Sequence, residues 1–477
     1  MLKRYKEYKK VYSNWINEIP TVWEWKKLKE ISSFISRGTT PNYAEKGVKV
    51  VNQATFSKGY WDIHDVRYTS TLLENSKGFL KNDDILLAST GGGILGKVYH
   101  FKEKDEYIAD SHVTIIRLRT NCNPKYFYYQ FKIKYELINN VLAKGSTNQT
   151  ELQRQWLRDF QLPIPSRPEQ DKIVQYLDWK ISEMNRFIHQ KKKQIELLEE
   201  LKTAKINNLI TKGLDPNVRY KDSGVEWLGG VPKHWSIDNI KQHFVVNKRI
   251  AGKEGYSVLS ITQQGIKEKN IASNKGQMAQ SYANYQFVYP GDFAMNHMDL
   301  LTGYIDISNQ FGVTSPDYRV FTLKDTENCY APFYLRVFQI GYKRKVFYKF
   351  GKGAANMGRW RLPLMAFYNY AIQVPPIEEQ KQIAEQCNVI EKQIDEMISS
   401  IQKEISLVEE LKVKLISDVV TGQVDVRDIK IPTYETETDN IESDDDSDGG
   451  ISAEQIFDES IEEQEAADGK EHNISWK

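Results

Sequence analysis

Glu169-Gln170-Asp171-Lys172-Ile173 and, 210 residues later, Glu379-Gln380-Lys381-Gln382-Ile383 open two stretches that hold one register without a gap as far as Asp215 and Asp425. Within them Glu199-Glu200-Leu201-Lys202 falls on Glu409-Glu410-Leu411-Lys412. Pro165 and Pro168, like Pro375 and Pro376, punctuate the approach, as they do before a helix. Steps of three and four then place Val174, Leu177, Ile181, Met184, Ile188, Ile195, Leu198 and Leu209 on one stripe, interrupted by Lys191, Lys202 and Lys205. The second stripe is Ala384, Cys387, Ile394, Ile398, Ile401, Ile405, Val408, Leu415 and Val419, with Glu391 and Lys412 as exceptions. Stripes this narrow suit a coiled-coil seam. Each predicted helix of about 40 residues is roughly 60 Å long at about 1.5 Å per residue, too long for one small domain to cover. The two helices are therefore expected to cover each other, and the long segment between them lets the second return antiparallel to the first.

Working outward, a shift of 212 matches Trp15 with Trp227, Pro20 with Pro232 and Trp23 with Trp235. The chain reads as two copies of one unit, with a period too long for a solenoid. Ahead of each helix lie short β-rich runs: Val48 to Val51, Asp84 to Leu87 and His112 to Leu118 in the first copy, Tyr256 to Ile261 and Tyr318 to Phe321 in the second. The fold class is α+β: two α/β domains separated by two long helices that form an antiparallel coiled coil. The expected boundaries are 1–165 and 216–375 for the domains, 166–215 and 376–425 for the helices, and 426–477 for an acidic tail, disordered by composition.

With 477 residues, 40% hydrophobic and 12% aromatic, the chain can bury two or three cores. No stretch approaches the roughly 20 apolar residues that cross a bilayer, and the basic start is not followed by a signal-peptide core, so a cytoplasmic, membrane-free protein is expected. Cys122, Cys329 and Cys387 are too scattered for a disulfide framework or a cysteine-built zinc site. The net charge of +1 conceals an asymmetry. Residues 435–477 hold 16 acidic residues against Lys470 and Lys477, which leaves +15 on residues 1–434. That surplus suits a nucleic-acid partner, and the tail reads as a solvated segment or a DNA mimic.

Catalytic motifs fail on inspection. Gly91-Gly92-Gly93-Ile94-Leu95-Gly96-Lys97 begins like a P-loop, but Val98 stands where magnesium needs Ser or Thr, and a strand follows where a helix is required. A glycine-rich turn with positive φ angles is the alternative. No Asn/Asp-Pro-Pro-aromatic methyltransferase motif occurs, Glu24-Trp25-Lys26 and Asp178-Trp179-Lys180 lack a preceding Pro-Asp, and the histidines form no metal-binding cluster. What remains is a binding surface. Lys144 before Ser146, Thr147 and Asn148, and Lys352 before Asn356 and Arg359, pair a cation for phosphate with side chains able to read base edges. Arg37, Thr39 and Thr40 match Asn247, Lys248 and Arg249 in the same sense. Asn52, Gln53, Ser89, Thr90, Gln263, Gln264, Asn296 and His297 add hydrogen-bonding groups near predicted strand ends. No catalytic and no metal residues are assigned.

The repeated [Ile/Val]-Pro-x-x-Trp, the turns Asp83-Asp84-Ile85-Leu86 and Gly291-Asp292-Phe293-Ala294, and the Pro-rich step into Glu-Gln-x-x-Ile resemble the specificity subunit of type I restriction-modification enzymes. The likeness spans residues 1 to about 430. It implies two target-recognition domains, each reading half of a split double-stranded DNA sequence, with helices that dock two methylation subunits. The partner subunits, including any restriction subunit, would carry S-adenosylmethionine, ATP and Mg; this chain would hold no cofactor. A coiled-coil adaptor with protein-binding domains and a stand-alone nuclease are the rival readings.

Overall fold

The structure, a computed structural model, describes residues 3–64, 66–70, 76–91, 93–138, 143–144, 150–271, 279–353 and 360–435. Of these, the residues in Met1–Lys193 and Ile401–Ile441 form one compact unit and those in Gln194–Ser400 a second, so each long helix is divided between the two near its midpoint.

The helices run Arg167–Lys212 and Ile377–Val420, 46 and 44 residues. Both lie within the expected bounds; Pro168 sits inside the first turn of the first, where its missing N–H costs nothing, and Pro376 stands immediately before the second. The predicted stripes are buried or half-buried throughout: Leu177 and Cys387 are fully enclosed, and Ile181, Ile188, Ile394, Ile398 and Ile401 are nearly so. The charged interruptions have partners. In the first unit Lys191 Nζ lies 2.7 Å from Glu404 Oε2 and Lys412 Nζ donates to Asn185 Oδ1 at 3.1 Å. In the second Lys202 Nζ lies 2.8 Å from Asp395 Oδ1 and Glu391 meets Arg336 at 2.6 Å. Lys205 is exposed.

Each repeat is locked to its helices by the residues that first revealed the repeat. Trp23 Nε1 donates to Glu169 Oε1 and Trp235 Nε1 to Glu379 Oε2, both at 3.0 Å. Gln170 Nε2 donates to the Pro165 carbonyl at 2.9 Å while its Oε1 accepts from Asn123 N at 2.8 Å. Gln380 repeats this with the Pro375 carbonyl and Tyr330 N, both at 2.8 Å. Beneath each tryptophan lies a glycine that follows a long helix. Gly422 (φ 75°) and Gly213 (φ 76°) are in the left-handed region, and a Cβ at Gly422 would sit 2.4 Å from the Pro20 ring. Positive φ and close approach both call for glycine there.

Ahead of the helices each unit carries a four-stranded antiparallel sheet of the same order. In the first it is Ser32–Arg37, Val113–Leu118, Ile85–Ala88 and Val98–His100; in the second, Phe244–Asn247, Arg319–Leu323, Phe293–Met295 and Ile305–Ile307. The registers correspond: Ile115 faces Ser36 and Leu86, as Val320 faces Asn247 and Ala294. The turn before the third strand is also repeated, with Asp83 (φ 70°) and Gly291 (φ 91°) at the bend. Next to them Asp84 and Asp292 are buried and bind Arg117 and Arg249 respectively.

Two expectations need correction. The strand predicted over Tyr256 to Ile261 begins at Leu259; Tyr256 lies in a bend and Val258 makes an isolated parallel bridge to Val313. The tail does not begin at residue 426. Val426 is buried, Ile429 and Ile431 pack on the first core, and the Glu435 carbonyl accepts from Ser182 Oγ (2.9 Å) and Arg186 Nη2 (3.1 Å). Four apolar residues (Val424, Val426, Ile429 and Ile431) in eight positions give this segment enough surface to bury. Residues 436–477 lie outside the described residues.

Candidate nucleic-acid interface

In both units the third strand of the repeat ends in a polar corner, closed by a backbone clasp at the same register. In the first unit Leu152 N donates to the Ser89 carbonyl at 2.9 Å; in the second Leu362 N donates to the His297 carbonyl at 2.9 Å. Lys144 pairs with Glu151 and Lys352 with Arg361 beside these clasps, so the two hairpins are topological equivalents. Ser146, Thr147, Asn148, Asn356 and Arg359 lie outside the described residues, and of Lys144 only the backbone is described.

The first corner brings Arg37, Gln53, Ser89 and Thr90 together. Arg37 Nη1 is 2.5 Å from Glu151 Oε1, and its Nη2 reaches the carbonyls of Ser89 and Leu152 at 3.4 Å. Gln53 Nε2 donates to Thr90 Oγ1 at 3.2 Å, and the same hydroxyl lies 2.8 Å from His112 Nδ1. Ser89 is fully buried, its Oγ 2.5 Å from Thr114 Oγ1. Asn52 is used locally, its Oδ1 accepting from Thr55 N at 3.1 Å where a short helix starts. Thr39 is held at its backbone by the Ala109 carbonyl and its buried Oγ1 has no partner, while Thr40 is exposed.

The second corner is a cleft of about 510 Å³ whose lining gathers Asn247, Lys248, His297 and Lys352 from the predicted set. It adds Arg319 and Arg361, so four cations face a single acid, Asp317. Lys248, Lys352 and Arg361 are exposed at the rim. Arg319, at the floor, is 5% exposed. Its Nη2 donates to the Leu362 carbonyl at 2.9 Å, its guanidinium carbon sits 4.6 Å from the Phe367 ring centre, and burial lowers its pKa to about 10. Burial, reinforced by the charges of Arg319 and Arg361, drops His297 to about 3, which keeps the ring neutral.

The remaining predicted residues are placed elsewhere. Arg249 is committed to the buried Asp292 and stacks on Tyr289. Gln263 and Gln264 line a different cleft of about 950 Å³, with Lys343, Arg344 and Lys345. Asn296, next to His297, uses its Oδ1 to hold Met298 N at 3.3 Å. Sequence reasoning missed Arg319, Arg361, His112 and Glu151. Arg319 opens a strand and Arg361 and Glu151 flank hairpin tips, so a search for loops with amides passed them by; a lone arginine in the apolar run Tyr318 to Phe321 was the available signal.

The P-loop-like stretch is a turn into the strand Val98–His100, with Gly91, Gly93 and Gly96 at positive φ. The three cysteines are buried and unpaired. Among the described residues there is no group of three or more His, Cys, Asp or Glu suited to a metal, and no helix long and apolar enough to cross a membrane.

The chain is thus a duplicated α/β unit, each copy ending its sheet in a polar corner. The family model of the type I restriction modification DNA specificity domain matches it twice, over residues 20–197 and 241–407, one match for each repeat. The chain belongs to that family: it is the specificity subunit of a type I restriction-modification system, with two target recognition domains. It is 26% identical over 440 residues to the inferred MjaX type I restriction enzyme specificity subunit of Methanocaldococcus jannaschii, covering 86% of this chain and 96% of that one. It is 23% identical over 374 residues to the MjaVIII specificity subunit of the same organism, covering 75% and 83%. A solved chain from work on complex assembly and conformational transition of the type I system shares the fold, with a TM-score of 0.59 at 13% identity over 85% of this chain and 99% of that one.

Proposed function

We propose that each corner reads one half of a bipartite double-stranded DNA target and that the two long helices, paired as an antiparallel coiled coil, set the gap between the halves. The observation that carries this is the repetition of one corner, strand by strand and clasp by clasp, in two units of a single chain. Rim cations suit phosphates and floor groups suit base edges. Antiparallel pairing is supported inside each unit. Asn185 and Lys191 meet Lys412 and Glu404, so one numbering falls as the other rises, and Lys202 meets Asp395 on the same diagonal.

The helices also offer docking sites for two methylation subunits. Leu197 and Leu201 are 56% and 45% exposed, and their equivalents 210 residues on, Leu407 and Leu411, are 58% and 55% exposed. One apolar i, i+4 pair on each repeat fits two copies of one partner. The chain itself is non-catalytic in this reading, acts in the cytoplasm where the DNA is, and leaves S-adenosylmethionine, ATP and Mg to the methylation and restriction subunits. The boundaries 1–165, 166–215, 216–375 and 376–425 serve as its functional divisions. Binding of the assembled complex to its target should weaken steeply as salt rises, in proportion to the phosphates neutralised, whereas a protein-binding adaptor would bind no DNA at any salt. The purified chain alone should neither cut nor methylate DNA; either activity would restore the nuclease or stand-alone enzyme reading.

A further inference from the structure

We propose that Arg319 is the residue by which the second unit selects a guanine in its half-site. This rests on the reading of that unit as a half-site reader and adds the base and the side chain.

A guanidinium taken out of water is normally paired with a carboxylate. Arg319 has no such partner among the described residues. It keeps one hydrogen bond, to the Leu362 carbonyl, and one ring contact, to Phe367, while Nη1 is buried with no partner. His297 Nδ1, in the same cleft, is buried and unpartnered too. Both atoms are closed off from solvent beneath one cationic cleft, so a base edge reaches the Arg319 guanidinium only after that side chain swings up past the Leu362 carbonyl. The rim cations Lys248, Lys352 and Arg361 suit the backbone of a duplex, which leaves the floor for a base edge. Guanine is the base whose major-groove edge offers two acceptors, N7 and O6, and arginine is its commonest reader.

The first unit shows what this position looks like when it is not a reader of that kind. Register places Thr114 where Arg319 stands, since Thr114 pairs with Leu87 as Arg319 pairs with Met295. Ser89 there occupies the place of His297, and Ser89 and Thr114 satisfy each other at 2.5 Å. The same layer is therefore satisfied within itself in one unit and left with unpaired polar atoms in the other, the difference expected of two domains that read different half-sites.

The test maps methylated adenines by long-read sequencing in cells that carry the complete system with the native chain, Arg319→Gln or Arg319→Lys. The native half-site assigned to the second unit should require guanine at one position. Arg319→Gln should shift that position toward adenine by roughly tenfold relative to guanine, since glutamine reads adenine N6/N7, and Arg319→Lys should relax it. The other half-site should not change. If Arg319→Gln abolishes methylation, competition binding of the Arg319→Lys complex to duplexes bearing each base at that position reads the same quantity. Unchanged base preference in the variants, a uniform loss of affinity across sequences, or a native half-site without guanine would overturn the assignment to Arg319. A motif that is not bipartite would instead overturn the half-site reading beneath it.

Discussion

Gln170 and Gln380 are 1% and 0% exposed, and each bridges a backbone amide of its recognition domain to a proline carbonyl just before its helix. Truncation to alanine buries two unsatisfied backbone groups, each costing about 1–3 kcal/mol. Gln170→Ala should therefore destabilise the chain by about 2–6 kcal/mol, and Gln380→Ala, whose Nε2 also donates to the Asn328 carbonyl at 3.1 Å, by at least as much, as read from denaturant midpoints. A cost near zero at either site would mean that the lock is not what joins domain to helix. The Glu-Gln pairs were legible as a repeat, but their roles were not, because Gln170 meets Asn123 and Glu169 meets Trp23, far back along the chain. His297 supplies a pH dependence. Its folded pKa of about 3 lies below the unfolded value of about 6.5, so the unfolded state binds the extra proton between those values. Stability from this group is present above pH 6.5 and declines as pH falls, by about 2–3 kcal/mol at pH 4.5. His297→Asn should flatten the pH dependence of unfolding over that window; an unchanged slope would show that the ring is not buried neutral.

Helices were the most legible elements, because a stripe of period 3.5 sustained over about ten turns places its apolar residues on one side only if the chain is helical throughout. Their charged interruptions were visible only as flaws. The structure gives Lys202 a role, 7% exposed and 2.8 Å from Asp395. Its partners Glu199 and Asp395 are 47% and 59% exposed, so losing the lysine leaves no buried charge unpaired, and Lys202→Met should leave the melting temperature unchanged or raise it, at the expense of a single helix register. A fall equivalent to several kcal/mol would assign the lysine a structural role instead. Leu407→Asp with Leu411→Asp, and separately Leu197→Asp with Leu201→Asp, should each remove one methylation subunit from the complex by native mass spectrometry. Retention of both subunits would move the docking site elsewhere. Strands were found where apolar runs ended in Gly or Asp turns, but their pairing was not readable, because register is set by partners and not by composition.

At the scale of the whole chain, duplication is the organising fact: one lock, one sheet and one corner, each made twice. Charge arithmetic over residues 435–477 indicated the partner class; the expected tail start at 426, the residue after the predicted helix, passes over the apolar Val426, Ile429 and Ile431. Modularity follows from the duplication. Exchange of residues 16–160 for another domain of the family should alter one half-site in methylation maps and leave the other intact; alteration of both would refute independent reading. The spacer is tested by removing one heptad from each helix at facing positions, residues 181–187 with 409–415, and mapping methylated adenines by long-read sequencing. Seven residues shorten a helix by about 10 Å, or about three base pairs. The account predicts the same two half-sites with a gap shorter by about three base pairs, or no methylation where that gap cannot be closed. Full methylation at the original spacing would contradict it.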